Sequence, residues 1–302
     1  MTLSVHSVGV VGAGSVGHAV ATALVATGFC EQLSIASRTL GQATSMAADL
    51  DDMRVALGSP TRPHAVTTAR LHGCQLVVIA ARARFTNTNA ADIRMAGVTA
   101  NGQIISELAL ALRDFGGVVV MVTNPVDLMS RLFAEVSDIR QVVGIGSNLD
   151  SARYRLILSR LFTVPPRTVR GSVIGEHGDA LVVCGSSTTV NGEAVRVPLA
   201  RVRAALLDRS RQISSGIGRT RGGPAGAVLS TLRLLLGLAD GVEELCRPYR
   251  RGWLGLPVSV ADGQVRVRLP PLNPEETRCL EAADVKLHAA YTALAEQLSA
   301  LS

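Results

Sequence analysis

Aromatic side chains are scarce, at 3% of the 302 residues, with one Trp, three Tyr and five Phe. That is too few to build a stacking platform for nucleic-acid bases. Lysine is scarcer still: of the 30 basic residues only Lys286 is lysine. The formal net charge of +6 therefore comes from arginine. These arginines are spread along the chain without a basic run, which argues against nucleic acid as a partner and lowers the weight of any single one. The five cysteines, Cys30, Cys74, Cys184, Cys246 and Cys279, are odd in number and form no CxxC or metal-like spacing. No metal is expected, and a reducing cytoplasm is the simplest compartment, with the thiols as small buried hydrophobes. The N-terminal apolar stretch lacks a basic region and is broken by Gly9, Gly12, Gly14 and Gly17. It reads as neither signal peptide nor membrane span. No HExxH, GxSxG or lysine-bearing phosphate loop is present.

What the chain does have is apolar content of 47%, enough for one large core or two adjoining ones. A short apolar strand at 7–11 runs into Gly12-Ala13-Gly14-Ser15-Val16-Gly17 and then a helical stretch to residue 26. In that context the three glycines read as a dinucleotide turn. The first makes the bend, the second lets main chain approach a pyrophosphate, and the third lets helix pack on strand. The helix start then offers unpaired N–H groups to phosphate. The second strand, at 33–36, ends in Ser37-Arg38, where an NAD-binding chain would usually carry an Asp or Glu for the ribose hydroxyls. A carboxylate would repel a 2′-phosphate, whereas a hydroxyl and a guanidinium accept one. NADP(H) is thus expected in preference to NAD(H), with NAD(H) possible if Arg38 only solvates the following helix.

The first half alternates. A helix at 40–57 precedes a break at Pro60 and Pro63, a strand at 76–80, a polar loop to about residue 92, a helix to 113, a strand at 118–122 and a helix at 127–136. Short Val- and Ile-rich runs between helices predict a doubly wound parallel sheet, with ligands at the carboxyl ends of its strands. From residue 148 the alternation stops. Strands are expected at 169–174 and 181–188, helices at 199–215 and 225–245, a hairpin at 256–260 and 264–269, and a last helix from about 274. The expected fold class is α/β, a Rossmann domain at 1–147 followed by an α+β substrate domain at 148–302.

Two segments carry candidate chemistry. Asn148-Leu149-Asp150-Ser151-Ala152-Arg153 and Gly175-Glu176-His177-Gly178-Asp179 supply an acid, a guanidinium and an imidazole. Alone, Asp150 and Arg153 would read as an ordinary helix ion pair. Together with His177 they are the parts needed to protonate a carbonyl while holding a carboxylate, because a carboxylate fixes an imidazole's tautomer and an arginine fork binds a carboxylate twice.

Over nearly its whole length the chain resembles the lactate and malate dehydrogenase family. The glycine turn, Thr123-Asn124-Pro125-Val126-Asp127, the two segments just named, and Arg94 seven residues before Asn101 follow the family's order. The resemblance implies that His177 donates a proton, Asp150 orients it and Arg153 binds the substrate carboxylate. It also implies that Arg94 polarises the carbonyl when a loop closes, and that Asn124 reaches the nicotinamide and substrate region. A homodimer or homotetramer is implied as well, together with a small 2-oxo or 2-hydroxy acid as substrate and the L-2-hydroxy acid as product.

Departures from the pattern bear on the substrate. Arg82 stands where the family usually has glycine, close to the expected cofactor path, so it would contact the phosphates. The loop from Ala81 to Arg94 is longer than usual. Thr88, six residues before Arg94, is the expected reader of the substrate side chain, with Asn87 or Arg84 as alternatives. A second reading position falls at Thr220, flanked by Arg219 and Arg221. If either arginine points inward, the substrate carries a second anionic group; if both point outward, a neutral polar side chain fits. The alternatives are an NADP-malate dehydrogenase with non-standard arginine specificity, and a nucleotide-binding regulatory protein without turnover.

Overall fold

A computed structural model describes residues 5–83, 97–261 and 264–301. The first half builds β1 (Val5–Val11), α1 (Ser15–Thr27), β2 (Cys30–Ala36), α2 (Leu40–Leu57), β3 (Arg62–Ala65), β4 (Leu76–Ile79), α3 (Val98–Ala111), β5 (Val118–Met121), α4 (Val126–Ser137) and β6 (Val142–Ile145). These six strands pair in parallel in the order β3-β2-β1-β4-β5-β6. The inner strands read Leu-Val-Val-Ile and Val-Val-Val-Met because both of their faces are covered. One apolar layer packs α1 and α2 on the sheet through Val20, Leu24 and Leu50. The opposite layer brings in Ile105 of α3 and Phe133 of α4. Strand order reverses between β1 and β4, which places a crevice beyond their carboxyl ends.

The second half contributes α5 (Ser147–Phe162), the short strands β7 (Val169–Arg170), β8 (Val173–Gly175), β9 (Leu181–Val183), β10 (Thr189–Val190) and β11 (Glu193–Ala194), then α6 (Leu199–Ile217), α7 (Gly222–Leu235), β12 (Val242–Tyr249), β13 (Gly252–Ala261), β14 (Gln264–Val267) and α8 (Pro274–Ser299). Its larger strands extend the same sheet. β12 lies antiparallel to β6, with Leu245 opposite Ile145 and Cys246 opposite Gly144, and β13, β8 and β9 follow. No helix among the described residues is long and apolar enough to cross a membrane.

Several expected elements are corrected. The helix expected at 225–245 ends at Leu235, and Val242–Tyr249 is a strand. Gly237 and Gly241, both at positive φ, take the chain out of the helix before the strand begins. Pro63, read as a break, sits inside β3, which pairs only with β2 and lies at the sheet edge, where a missing N–H is tolerated. β6 was not anticipated, and the strand expected at 181–188 stops at Val183.

The start of α8 is fixed by a capping box. Asn273 Oδ1 accepts the Glu276 N–H at 2.9 Å and Glu276 Oε2 accepts the Asn273 N–H at 3.0 Å. Glu276 Oε1 also accepts the N–H of Ser186 at 2.9 Å. Replacing Asn273 by Ala is expected to cost about 1 kcal/mol of stability. A urea transition with an unchanged midpoint would contradict that.

Candidate active site

The glycine turn opens on a cleft of about 1410 Å³ at the carboxyl end of β1 and β4. Gly12 has φ +111°, and a Cβ there would lie 2.9 Å from the main chain of Ala80 and Ala81. A Cβ on Gly17 would collide with the Gly12 carbonyl oxygen, so α1 packs on the turn only without one. Gly14 has nothing within 4 Å of its absent side chain, which leaves the main chain open toward the cleft. Val16 turns back into the core. Each glycine thus has its own steric setting, of the kind a pyrophosphate-binding turn requires, and Ser15 begins the helix beside it.

The Ala13 N–H donates to Ser37 Oγ at 3.4 Å, tying the turn to the end of β2, and Ser37 donates to Gln42 Oε1 at 3.2 Å. Ser37, exposed Arg38, Arg82 and Arg219 all line the cleft. Burial lowers the pKa of Arg82, and the neighbouring guanidinium of Arg219 lowers it further. Arg219, expected at the substrate side chain, therefore stands beside the glycine turn with Arg82. Arg221 is exposed at the start of α7, and Thr220 lies against Gly223. Thr88, Asn87, Arg84 and Arg94 lie outside the described residues.

The structure brings His177, Asp150 and Arg153 together. His177 Nδ1 lies 2.6 Å from Asp150 Oδ2, and Arg153 Nη1 donates to Asp150 Oδ1 at 3.3 Å. All three side chains are nearly buried, at 9%, 5% and 8% exposure. An ionised carboxylate accepts only, so Nδ1 carries the hydrogen toward Asp150 and Nε2 is the nitrogen left for exchange. Asp150 is in the first turn of α5, where the helix dipole favours its charge. Gly146, just before that turn, makes room for the ring: a Cβ there would sit 2.5 Å from His177 Cγ.

Asn124 is exposed, its carbonyl accepts from Asn101 Nδ2 at 2.8 Å, and its own Oδ1 accepts the Val126 N–H at 3.3 Å. Asn101 Oδ1 also takes the Ala83 N–H at 2.9 Å, so one buried amide joins the ends of β4 and β5. Asn148 plays the same part behind the site, donating to Ala227 O, Thr231 Oγ1 and Glu243 Oε2, each at 3.1 Å.

Sequence reasoning missed two groups that hold the His177 segment. Lys286 on α8 donates to Glu176 Oε1 and Oε2 at 3.0 and 2.7 Å and to Asp179 Oδ1 at 2.9 Å. Burial alone would lower its pKa, but these carboxylates outweigh burial and raise it. Its being the sole lysine was the available signal. Asp127 on α4 accepts the main-chain N–H of His177 at 2.9 Å, and burial pushes its carboxyl up to about 6.

Two outcomes follow. Lys286→Met leaves the nearly buried Glu176 without its cation and is expected to lower stability by roughly 1–2 kcal/mol, after discounting for the exposed lysine, with Lys286→Arg intermediate. Equal urea midpoints for parent and both variants would remove this role. Asp127 binds its proton more tightly folded than unfolded, so its contribution to stability is gained as pH falls through about 6 and is fully present below the ordinary value of 3.8. Any stability advantage of Asp127→Asn over the parent should therefore shrink by up to about 3 kcal/mol between pH 8 and pH 4. A pH-independent difference would show that the group titrates normally.

Residues 6–146 match the family model for the NAD-binding domain of lactate/malate dehydrogenase. L-lactate dehydrogenase 1 of Bifidobacterium longum is 31% identical over 219 residues, covering 71% of this chain and 67% of that protein. The chain spans about three fifths of the length of two further curated relatives that it matches, and 96% of a third at 28% identity. The minor L-lactate dehydrogenase of Enterococcus mundtii shares the fold with a TM-score of 0.85 at 23% identity, over 97% of this chain and 99% of that one. The malate dehydrogenase of Plasmodium falciparum does so with a TM-score of 0.87 at 17% identity, over 97% and 99%. A glycine turn at the switch point and a buried histidine–aspartate–arginine group thus stand on a chain that belongs to the lactate/malate dehydrogenase family.

Proposed function

We propose that this protein is an NADPH-preferring reductase that converts a small 2-oxo acid to its L-2-hydroxy acid. The observation that carries the reading is the single carboxylate of Asp150, shared between the Nδ1 of His177 and the guanidinium of Arg153. When bound, the dinucleotide supplies the hydride. His177 Nε2 gives a proton to the carbonyl oxygen as charge develops there, and Asp150 keeps the ring in the tautomer that permits it and stabilises its cationic form. Arg153 binds the substrate carboxylate and aligns the carbonyl with the ring. Arg94 polarises the carbonyl, and Asn124 hydrogen-bonds near the reacting centre. Thr88 and Thr220 face the substrate side chain.

The preference for NADPH rests on Ser37 and Arg38 at the end of β2, where no carboxylate stands to repel a 2′-phosphate. Gly12, Gly14, Ser15, Val16, Gly17 and Arg82 form the pyrophosphate side of the same site. The functional division falls at 147/148, with the cofactor bound before it and the substrate after it. Assembly as a homodimer or homotetramer and a reducing, cytoplasmic location complete the reading, the latter supported by free thiols, four of them buried.

A second reading, oxaloacetate as substrate, is favoured by Arg219, which would meet a second carboxylate if it turns from Arg82 toward the substrate. A binding protein without turnover is the remaining alternative.

Initial rates of NADPH and NADH oxidation across pyruvate, branched, aromatic and hydroxylated 2-oxo acids, oxaloacetate and phosphonopyruvate test the class. Arg38→Ala is expected to lower the NADPH/NADH ratio of kcat/KM about tenfold or more, roughly 1.4 kcal/mol. An unchanged ratio would end the NADPH argument. His177→Asn is expected to bind cofactor normally while kcat falls about 10²- to 10⁴-fold. Full activity in that variant would remove the proton donor. Arg219→Ala should selectively reduce turnover of oxaloacetate if the second reading holds, and NADPH binding without turnover on any acid would leave the binding protein.

A further inference from the structure

Asp127 is the second residue of α4, after Asn124, Pro125 and Val126, at the end of the helix whose dipole favours an anion. It is 3% exposed. Its Oδ2 accepts the main-chain N–H of His177 at 2.9 Å. Its Oδ1 and the Ser130 Oγ one turn further on are buried without a nitrogen or oxygen partner among the described residues, and the thiol of Cys246 faces both side chains. Three titratable groups face it: the imidazole of His177 and the carboxyl of Glu176 from the segment after β8, and the thiol of Cys246 from β12. Burial raises its pKa to about 6, opposed by the His177 N–H, the His177 ring and Cys246.

A carboxylate kept in such a place costs stability while it is charged. What the charge supplies is a stronger grip, since an ionised acceptor holds an N–H about twice as firmly as a neutral one. The grip falls on the proton donor's own amide. Asp150 on α5 holds the same residue by its ring, 2.6 Å from Nδ1. Main chain and side chain are thus fixed from two different helices, and Nε2 has one place to be.

We propose that Asp127 is a positioning residue for proton transfer, its ionised carboxylate anchoring the His177 main chain so that the ring held by Asp150 presents Nε2 at a fixed point. This rests on the reading of His177 as proton donor given above. Reduction then needs His177 protonated and Asp127 ionised. The reductive kcat gains an acid limb near pH 6 that belongs to Asp127, in addition to the alkaline limb that belongs to the donor.

The test compares kcat against pH, the Kd for NADPH and the thermal midpoint for the parent, Asp127→Ala and Asp127→Asn. Asp127→Ala is expected to lower kcat about 10²-fold, the scale of a small misplacement of a reacting group, with Kd within about twofold of the parent. Asp127→Asn keeps only a neutral acceptor for the His177 N–H, so its kcat should fall between those of Asp127→Ala and the parent and lack the acid limb. The proposal is overturned if Asp127→Ala keeps kcat within about threefold, if cofactor affinity falls in step with kcat, or if the acid limb survives in Asp127→Asn. Should Asp127→Ala fail to fold, the presence or absence of that limb in Asp127→Asn decides alone. Should the parent show no turnover, the function proposed above has failed, and the His177 amide resonance of ¹⁵N-labelled protein decides the positioning role. A shift with a midpoint near pH 6 that is lost in Asp127→Asn supports it, and an amide that does not follow pH there overturns it.

Discussion

The pairing of β12 with β6 is the contact on which the rest of the site depends. Leu245 and Cys246 lie opposite Ile145 and Gly144, Cys246 lies opposite Gly255 on β13, and Gly255 lies opposite Gly175 on β8. One row of residues thus crosses from the last parallel strand to the strand that ends two residues before His177. That row delivers the imidazole to the start of α5, where Asp150 waits, and to the start of α4, where Asp127 does. A slip of one residue in any of these pairings would turn side chains to the opposite face and separate the three. Three of the four positions are glycine, and the space they leave is filled by neighbours: Ser130 at Gly144 and Ser147 at Gly255.

Around the imidazole the charges are arranged in order of compensation. Asp150 is held between the imidazole of His177 and the guanidinium of Arg153. Glu176, nearly buried, takes two hydrogen bonds from Lys286 and one from the Ala180 N–H. Asp127 has an N–H and the dipole of α4, and its pKa rises because these do not offset its burial. Buried charge is tolerated where partners replace water, and its cost shows where they do not.

The parallel half was legible because strands buried on both faces are continuous apolar runs, and because the glycine turn has a fixed place between strand and helix. His177, Asp150 and Arg153 were legible as residue types with matching chemistry. β12 was not. Val242 to Leu245 was read as the end of the helix expected at 225–245; the segment is a strand paired along its whole length with β13 and in part with β6, and Glu244 meets Ser172 at 2.6 Å while Glu243 meets Asn148 and Ser230. Tertiary partners decided the conformation there. Asp127 and Lys286 escaped notice because their partners lie 50 and 110 residues away. The sequence left Arg219 open between an inward and an outward orientation, and its nearness to Arg82 on the cleft is a contact between residues 137 apart that spacing does not reveal.

The lone lysine has one more consequence. A guanidinium is planar, and its donors spread in a fixed fork, whereas an ammonium radiates three donors from one atom. Here those three reach two oxygens of Glu176 and one of Asp179, a cage shaped for a point charge. In a sequence that otherwise writes its cations as arginine, this is the single side-chain amine. Amine-directed labelling therefore has one side-chain address, two fifths exposed and on the rim of the histidine segment, so the chain carries a built-in reporter on the state of that segment.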